Sequence, residues 1–251
     1  MTNIILSGCN GKMGQVISRL VSERDDINIV CGVDINTDAK FGYNVYPDFN
    51  SVSESADAVI DFSHPACFSG IVNYCRNTKT PLVMATTGLS DEQRAELTAL
   101  SGEIAVFFSA NMSLGVNLLV SLVKKAASIL EDSFDIEIIE KHHNQKIDAP
   151  SGTALMIADE IADTLTENPE YVYDRHSVRK KRSKNEIGIH AVRGGTIVGE
   201  HDVIFAGNDE IIEINHKAMS KEIFAVGSIK AAQFIKGKTA GMYSMKDVVK
   251  L

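Results

Sequence analysis

Five short apolar runs fill the first hundred or so positions of this chain, each closing on small or polar residues and four of them leading into a helical pattern. They are Asn3 to Ser7, Ile29 to Val33, Ala56 to Phe62, Pro81 to Ala85 and Glu103 to Ser109. Helical patterns follow at Gln15 to Ser22, at Ala66 to Asn77, after Ser90 as N-cap, and from Gly115 to Glu131. Alternation of strand and helix predicts an α/β fold with a parallel, doubly wound sheet. In such sheets ligands bind beyond the carboxyl ends of the strands. Those ends carry Gly8 to Gly14, Asp34, Phe62-Ser63, Ala85 to Thr87 and Ala110 to Ser113, all small or polar apart from Met13, Phe62 and Met112.

The first of these ends is the richest. Gly8-Cys9-Asn10-Gly11-Lys12-Met13-Gly14 joins strand to helix with the spacing G-x-x-G-x-x-G. Glycines permit the tight turn and close backbone approach, and the helix start faces a pyrophosphate. The first glycine is displaced by one from the usual dinucleotide fingerprint, so alone the run also reads as a simple strand-to-helix turn. Asp34 strengthens the dinucleotide reading, because it ends the second strand twenty residues past Gly14 and is placed for the adenine-ribose hydroxyls. No arginine follows it; Ile35-Asn36-Thr37 come next. A carboxylate without an adjacent cation disfavours a 2′-phosphate, while Lys12 offers some compensation. The expectation is NADH preferred and NADPH tolerated.

The stretch Glu137 to Ala154, E-I-I-E-K-H-H-N-Q-K-I-D-A-P-S-G-T-A, holds the reactive groups. Asp135 to Lys141 alternates in part, as a half-buried strand does. Neighbouring strand side chains point to opposite faces, so His142 and His143 either split roles or mark the strand's end. Asn144-Gln145-Lys146 has lost the alternation and reads as a loop. Pro150 biases Ala149 away from helical geometry, Ser151 is a natural N-cap, and Ala154 to Leu165 continues as a helix. The backbone N–H groups of Ser151-Gly152-Thr153 and the positive end of the helix dipole suit a carboxylate. Lys146 adds a positive charge or a proton, and the histidines titrate near neutral pH. Each residue taken singly fits an ordinary capped helix after a polar loop; the constellation does not. His142, His143, Glu140 and Asp148 are competent zinc ligands, but adjacent histidines on a strand diverge and no cysteine lies near, so no metal is expected.

Beyond Val172 the pattern changes. Glu186 to Val192, Thr196 to Phe205 and Glu210 to Ala218 are strand candidates joined by Gly194-Gly195 and Gly207-Asn208-Asp209, which predicts an antiparallel meander in a second, α+β domain with an antiparallel or mixed sheet. A last helix from Ile223 to Ile235 returns to the first lobe. The division expected is 1–112 with 219–251 for the dinucleotide, and 113–218 for the substrate and oligomerisation.

A length of 251 residues suits two lobes, and 44% hydrophobic with 23% charged residues describes a globular chain. A net charge of −8 argues against a nucleic-acid partner, and Arg179-Lys180-Lys181-Arg182 reads as a solvated loop. No segment has the length of a membrane span. The N-terminus runs directly into a strand without a signal peptide, and Cys9, Cys31, Cys67 and Cys75 form no C-x-x-C pair. The four are read as reduced, mostly buried thiols, Cys67 and Cys75 sharing a helix, in a cytoplasmic protein.

These residues resemble a known family. The run Glu137 to Ala154 matches the signature segment of the dihydrodipicolinate reductases (4-hydroxy-tetrahydrodipicolinate reductases) of lysine biosynthesis. The resemblance covers nearly the whole chain. It takes in the glycine opening, Asp61-Phe62-Ser63, Thr86-Thr87-Gly88, Ala110 to Asn117, Arg193-Gly194-Gly195, Gly199-Glu200-His201 and the Met245-Lys246-Asp247-Val248 tail. It implies NADH- or NADPH-dependent reduction of a cyclic, unsaturated dicarboxylate to tetrahydrodipicolinate, with loss of water. By similarity His142 is the acid/base residue and Lys146 the proton donor, His143 touches the substrate, and Gly152-Thr153 hold a carboxylate. The cofactor would lie across Gly8, Cys9, Asn10, Gly11, Lys12, Met13, Asp34, Ala85, Thr86, Thr87, Ala110, Asn111, Met112 and Ser113. The family's members are typically homotetramers assembled through the second domain's sheet.

Three positions depart from the family's usual pattern: Ala85 for glycine, Met112 for an aromatic residue, and Lys221 for an arginine, whose bidentate contact lysine cannot copy. None removes a proposed catalytic group. Two other functions fit parts of the chain. An aspartate or diaminopimelate dehydrogenase would share the two-lobed fold but lacks the His-His to Gly-Thr segment. A non-catalytic NAD-binding sensor would not need both His142 and Lys146.

Overall fold

The structure, a computed structural model, describes residues 1–249. In chain order the elements are β1 (Thr2–Ser7), α1 (Lys12–Ser22), β2 (Ile27–Val33), β3 (Asn44–Tyr46), β4 (Ala58–Asp61), α2 (Phe68–Thr78), β5 (Leu82–Met84), α3 (Asp91–Ser101) and β6 (Ala105–Phe108). Then come α4 (Leu114–Leu130), β7 (Asp135–His142), α5 (Gly152–Ala162), β8 (Glu170–Val172), β9 (Glu186–Arg193), β10 (Gly199–Ala206) and β11 (Ile211–Ala218). The chain closes with α6 (Glu222–Ile235), β12 (Gly241–Tyr243) and α7 (Met245–Val248). Two compact units result, one built from Met1–Ser113 and the segment from Glu222, the other from Leu114–Lys221.

The first unit is a seven-stranded parallel sheet in the order β12-β6-β5-β4-β1-β2-β3. Its central strands are apolar without alternation: Ile4, Ile5, Leu6, Val59 and Ile60 have no exposed surface. Burial on both faces requires this. Ile71, Val72, Leu97 and Leu100 of α2 and α3 join Ile5, Val59, Leu82 and Val106 in one core. On the other face α1 packs beside α6, which lies along β4, β5 and β6. Ser90 caps α3 as expected, with a reciprocal Gln93 contact. The short strands β3 and β12 escaped the sequence reading because three residues carry no periodicity. Of the four free cysteines, Cys67 is exposed at the end of a 3-10 turn rather than buried on α2; Cys9, Cys31 and Cys75 are buried.

The second unit is a five-stranded mixed sheet, β11-β10-β7-β9-β8, whose core is shared with α4 and α5. The expected antiparallel meander is not formed. Strands β10 and β11 do pair antiparallel, but β7 lies between β9 and β10, parallel to the first and antiparallel to the second. Its buried residues Ile136, Ile138 and Glu140 take the central place. The link from β9 to β10 must therefore span two strand spacings, about 10 Å. Gly194-Gly195 makes that crossing over the end of β7, where Gly194 N–H donates to the His142 carbonyl at 2.9 Å and Asn144 N–H to the Gly195 carbonyl at 3.2 Å. The basic run is also not simply solvated. Arg182 reaches the Asp135 and Glu137 carboxylates at 3.0 Å each and the carbonyls of Ile136 and Glu186.

Close backbone packing fixes the glycine turn. A Cβ on Gly14 would stand 2.2 Å from the Gly8 carbonyl oxygen, and one on Gly8, at φ +75°, 2.6 Å from that of Phe62. Backbone cannot yield as a flexible side chain does. Gly14→Ala is expected to cost on the order of 3 kcal/mol in urea unfolding; a loss under about 0.5 kcal/mol, the usual scatter of harmless substitutions, would contradict this packing.

Candidate active site

In the first unit the carboxyl ends of the parallel strands gather the expected dinucleotide residues. Gly8 leaves β1 with its N–H donating to the Val33 carbonyl at 2.8 Å, so the ends of β1 and β2 are tied together. Gly11 precedes α1 and no side chain caps this helix start. An uncapped start next to a glycine turn suits a phosphate. Lys12 and Met13 form the first turn of α1, Lys12 exposed. Cys9 is fully buried, and burial, then the nearby Asp34 charge, push its thiol up to about 11, so it serves packing. The Asp34 carboxylate accepts from the N–H groups of Asn10 at 2.9 Å and Asn36 at 3.0 Å. Asn10 in turn donates its amide to the carbonyls of Asn36 and Asp38.

A cavity of about 410 Å³ opens here, with Gly8, Gly11 and Asp34 on one side and Phe62, Ser63 and His64 on the other. The remaining candidates sit at the ends of β5 and β6 and do not line that cavity. Ala85 N–H donates to the Asp61 carbonyl at 3.0 Å, and Thr87 is exposed. The Thr86 hydroxyl donates to the Asp61 carboxylate at 2.6 Å, while Ser63 N–H donates to its other oxygen. Burial pushes the Asp61 carboxyl up. Ala110 is exposed, Asn111 accepts from Ser113 N–H at 2.8 Å, and Met112 is buried. The Met112 carbonyl lies so close to Gly227 of α6 that any Cβ there would strike it.

In the second unit β7 ends at His142, so the strand stops between the two histidines. His143 is half-buried at the start of the loop, and Lys146 N–H donates to its carbonyl at 3.2 Å. Lys146 Nζ stands 2.8 Å from the Asp148 carboxylate. That contact, reinforced by the Gly152 backbone N–H, holds the Asp148 carboxyl below its ordinary range. The helix start thus already accommodates a carboxylate beside a lysine. Ser151 caps α5 by accepting from Ala154 N–H at 3.1 Å. Gly152 is exposed, with open space where a side chain would be, and Thr153 is half-buried in the first turn.

Three residues here were missed as site residues: Glu140, considered only as a metal ligand, and Arg193 and His201, noted only within motifs. Glu140 has no exposed surface. It accepts from His142 Nδ1 at 2.6 Å, Ser151 N–H at 2.9 Å, and both terminal nitrogens of Arg193 at 2.7 and 2.6 Å. Burial pushes the Glu140 carboxyl up, but the hydrogen bonds from Arg193, His142 and Ser151 outweigh it and hold it low. Arg193 also donates to the Asp148 carbonyl at 2.6 Å. His201 lies under the site, its ring edge-on to His142 at 5.4 Å and its Nε2 3.2 Å from the Ser151 hydroxyl. The signal available was parity. Glu140 shares its strand face with Ile136 and Ile138, and a charge at a core position needs a partner.

Among the described residues no group of three or more His, Cys, Asp or Glu is arranged to hold a metal ion. Nor is any helix among them long and apolar enough to cross a membrane.

A parallel sheet with a glycine turn after β1 and an acid after β2, joined in one chain to a unit carrying a His/Lys corner, defines a dinucleotide-dependent oxidoreductase. Comparison narrows the class. Residues 2–112 match the family described as dihydrodipicolinate reductase, N-terminus, and residues 115–249 that described as dihydrodipicolinate reductase, C-terminus. The chain belongs to the dihydrodipicolinate reductase family. It is 55% identical over 250 residues to the 4-hydroxy-tetrahydrodipicolinate reductase of Caldanaerobacter subterraneus subsp. tengcongensis, covering 100% of this chain and 99% of that one. With the Clostridium tetani protein of the same name it shares 51% over 245 residues, 98% and 96% of the two chains. In fold it is similar to a dipicolinate-bound dihydrodipicolinate reductase from Paenisporosarcina sp. TG-14, with a TM-score of 0.82, 23% identity and 99% of each chain covered.

Burial, then the neighbouring His142, holds His201 down at about 4 against an ordinary 6.5. Below pH 6.5 the unfolded chain binds a proton that the folded one refuses, so stability falls as pH drops towards 4 and this contribution then levels off. The share is on the order of 3 kcal/mol. Thermal melts from pH 7 to 4.5 are expected to lose less in His201→Gln than in the parent; equal losses would show that His201 is not held neutral.

Proposed function

We propose that this chain is a 4-hydroxy-tetrahydrodipicolinate reductase, producing tetrahydrodipicolinate in the diaminopimelate and lysine pathway. The observation that carries it, beside family membership, is the corner where Lys146 and the Gly152 N–H already flank one carboxylate, next to a histidine bonded to a buried glutamate. The substrate is a cyclic dicarboxylate, and the second unit offers the matching cation and helix start. When bound, the reduced nicotinamide supplies a hydride. The ring that accepts it also needs one proton, and the hydroxylated form of the substrate must shed water.

The chain's own residues serve orientation and proton delivery. Gly152 and Thr153 hold a substrate carboxylate, with Asp148 giving up its place. Lys146, released from Asp148, delivers the proton to the ring. His142 acts as acid/base through Nε2, because its Nδ1 is engaged by Glu140. His143, half-buried at the start of the loop, touches the substrate.

In the first unit the fit to a dinucleotide is good: the helix start at Gly11 has no side-chain cap, Gly8 has no room for a Cβ, and a cavity of about 410 Å³ runs past Asp34. Gly8 to Met13, Asp34, Ala85 to Thr87 and Ala110 to Ser113 are the cofactor contacts in this reading. Asp34, followed by exposed Ile35, supports NADH over NADPH. Edge strand β11 exposes Ile211 and Ile212, which supports assembly through this sheet; in this reading the assembly is a homotetramer and the enzyme cytoplasmic. Sedimentation velocity reads that assembly, and a monomer at micromolar concentration would remove it.

The test is oxidation of NADH with substrate generated in place from pyruvate and aspartate semialdehyde by the preceding synthase. Synthase-dependent loss of the reduced nicotinamide is expected, with a lower KM for NADH than for NADPH. No loss with either would refute the activity, and a strong NADPH preference the role given to Asp34. Lys146→Ala and His142→Gln are each expected to lower kcat roughly a hundredfold or more with the dinucleotide KM little changed. Near-parental turnover in either variant would remove that residue from the mechanism.

A further inference from the structure

We infer that Glu140, clamped by Arg193, is a positioning residue that fixes the tautomer and direction of His142 and, with the same carboxylate, sets the start of α5. The inference rests on the roles given above to His142 and to Gly152-Thr153.

Register brings these groups together. On β7, Glu140 and His142 are two residues apart and so share a face. On β9, Arg193 is the direct partner of His142. On β10, His201 is the partner of Glu140. The four donors at Glu140 are apportioned between its oxygens. Oε2 takes His142 Nδ1 and one Arg193 nitrogen; Oε1 takes Ser151 N–H and the other. An ionised carboxylate only accepts, so the neutral imidazole must carry its proton on Nδ1. Nε2 is then the atom left to exchange a proton.

The absence of a side chain at one neighbouring position leaves room beside Nε2. Gly199 of β10 faces it: a Cβ there would stand 3.1 Å from Nε2, and 3.4 Å from the neighbouring ring carbon. The His201 ring packs edge-on against that of His142, centroids 5.4 Å apart. The Ser151 hydroxyl accepts from Ala154 N–H and pairs with His201 Nε2 at 3.2 Å, and the Nδ1 of that ring has no hydrogen-bond partner among the described residues. Arg193 completes the arrangement through the Asp148 carbonyl, which ties down the loop bearing Lys146. One buried ion pair thus connects the histidine, the helix start and the lysine loop. Ion pairs of this kind are weak devices for stability, since apolar replacements are often neutral. The bidentate geometry instead serves direction.

The test uses full-length Glu140→Gln, Glu140→Asp and the apolar exchange Glu140→Leu/Arg193→Met, which leaves no unpaired buried charge if the single variant fails to fold. Two readouts are taken. In histidine-labelled protein in mildly alkaline buffer, long-range nitrogen–proton NMR reads the His142 tautomer, with His142→Gln identifying the signal. Steady-state kinetics in the synthase-coupled assay reads kcat and the KM for NADH. The parent is expected to show Nδ1–H, and the Leu/Met exchange a shift to Nε2–H. Glu140→Gln and the exchange are expected to lose kcat by at least about thirtyfold with the NADH KM within about twofold, and Glu140→Asp to recover part of the loss. Folded variants with kcat within about twofold of the parent overturn the proposal, by the same standard of transition-state loss. So does a large loss of kcat with Nδ1–H retained in the exchange, which would leave Glu140 a merely structural group. If the parent itself does not turn over this substrate, the assigned activity fails, and the NMR readout still decides whether Glu140 sets the tautomer.

Discussion

A single carboxylate with no exposed surface, that of Glu140, organises the second unit's site. Burying an unpaired charge at this position would cost several kcal/mol, so the chain must bring donors to it. It brings four, from three different segments: His142 on the same strand, Arg193 on β9, and Ser151 at the start of α5. Those demands explain features that otherwise look unrelated. Arg193 ends β9 level with His142, and the Gly194-Gly195 crossing over β7 follows at once because the chain must reach β10 on the far side. Gly199 then opens β10 without a side chain, where any Cβ would press on the imidazole.

The first unit depends on a different constraint, the exclusion of side chains where backbones cross. Gly8, Gly14 and Gly227 each lie against a carbonyl with no space for a Cβ. This draws the glycine turn against the end of β4 and sets α6 against Met112. Asp61 then joins strand ends through Thr86 and Ser63. The result is a row of strand ends that presents main-chain groups rather than bulky side chains, as a dinucleotide-binding surface requires.

Much of this was legible in the residues. Strand–helix alternation gave the parallel sheet, the glycine spacing and Asp34 gave the dinucleotide reading, and Ser151 was recognisable as the cap of α5. Family resemblance supplied the roles proposed for His142, Lys146, Gly152 and Thr153. The second sheet's topology was not legible, because pairing order depends on which strand claims the centre. Local turn chemistry at Gly194-Gly195 looks the same for a hairpin as for a crossing over β7. The partners of Glu140 were hidden for a related reason: Arg193 is 53 residues away and reaches it only once β9 has paired with β7. Parity alone would have flagged Glu140 as a charge on a core face, without saying what answers it. Nor could composition show that Arg182, in a run of four basic residues, is held by Asp135 and Glu137.

The central claim is that this corner, His142 with the start of α5, receives a carboxylate of a cyclic dicarboxylate. The direct measurement is a backbone amide NMR titration of the NADH-loaded protein with pyridine-2,6-dicarboxylate. The account predicts saturable downfield movement of the Gly152 and Thr153 amides, accompanied by the His142 ring signals, as Asp148 is displaced. Saturable binding that leaves those amides unmoved while others shift would place the ligand elsewhere and contradict the account.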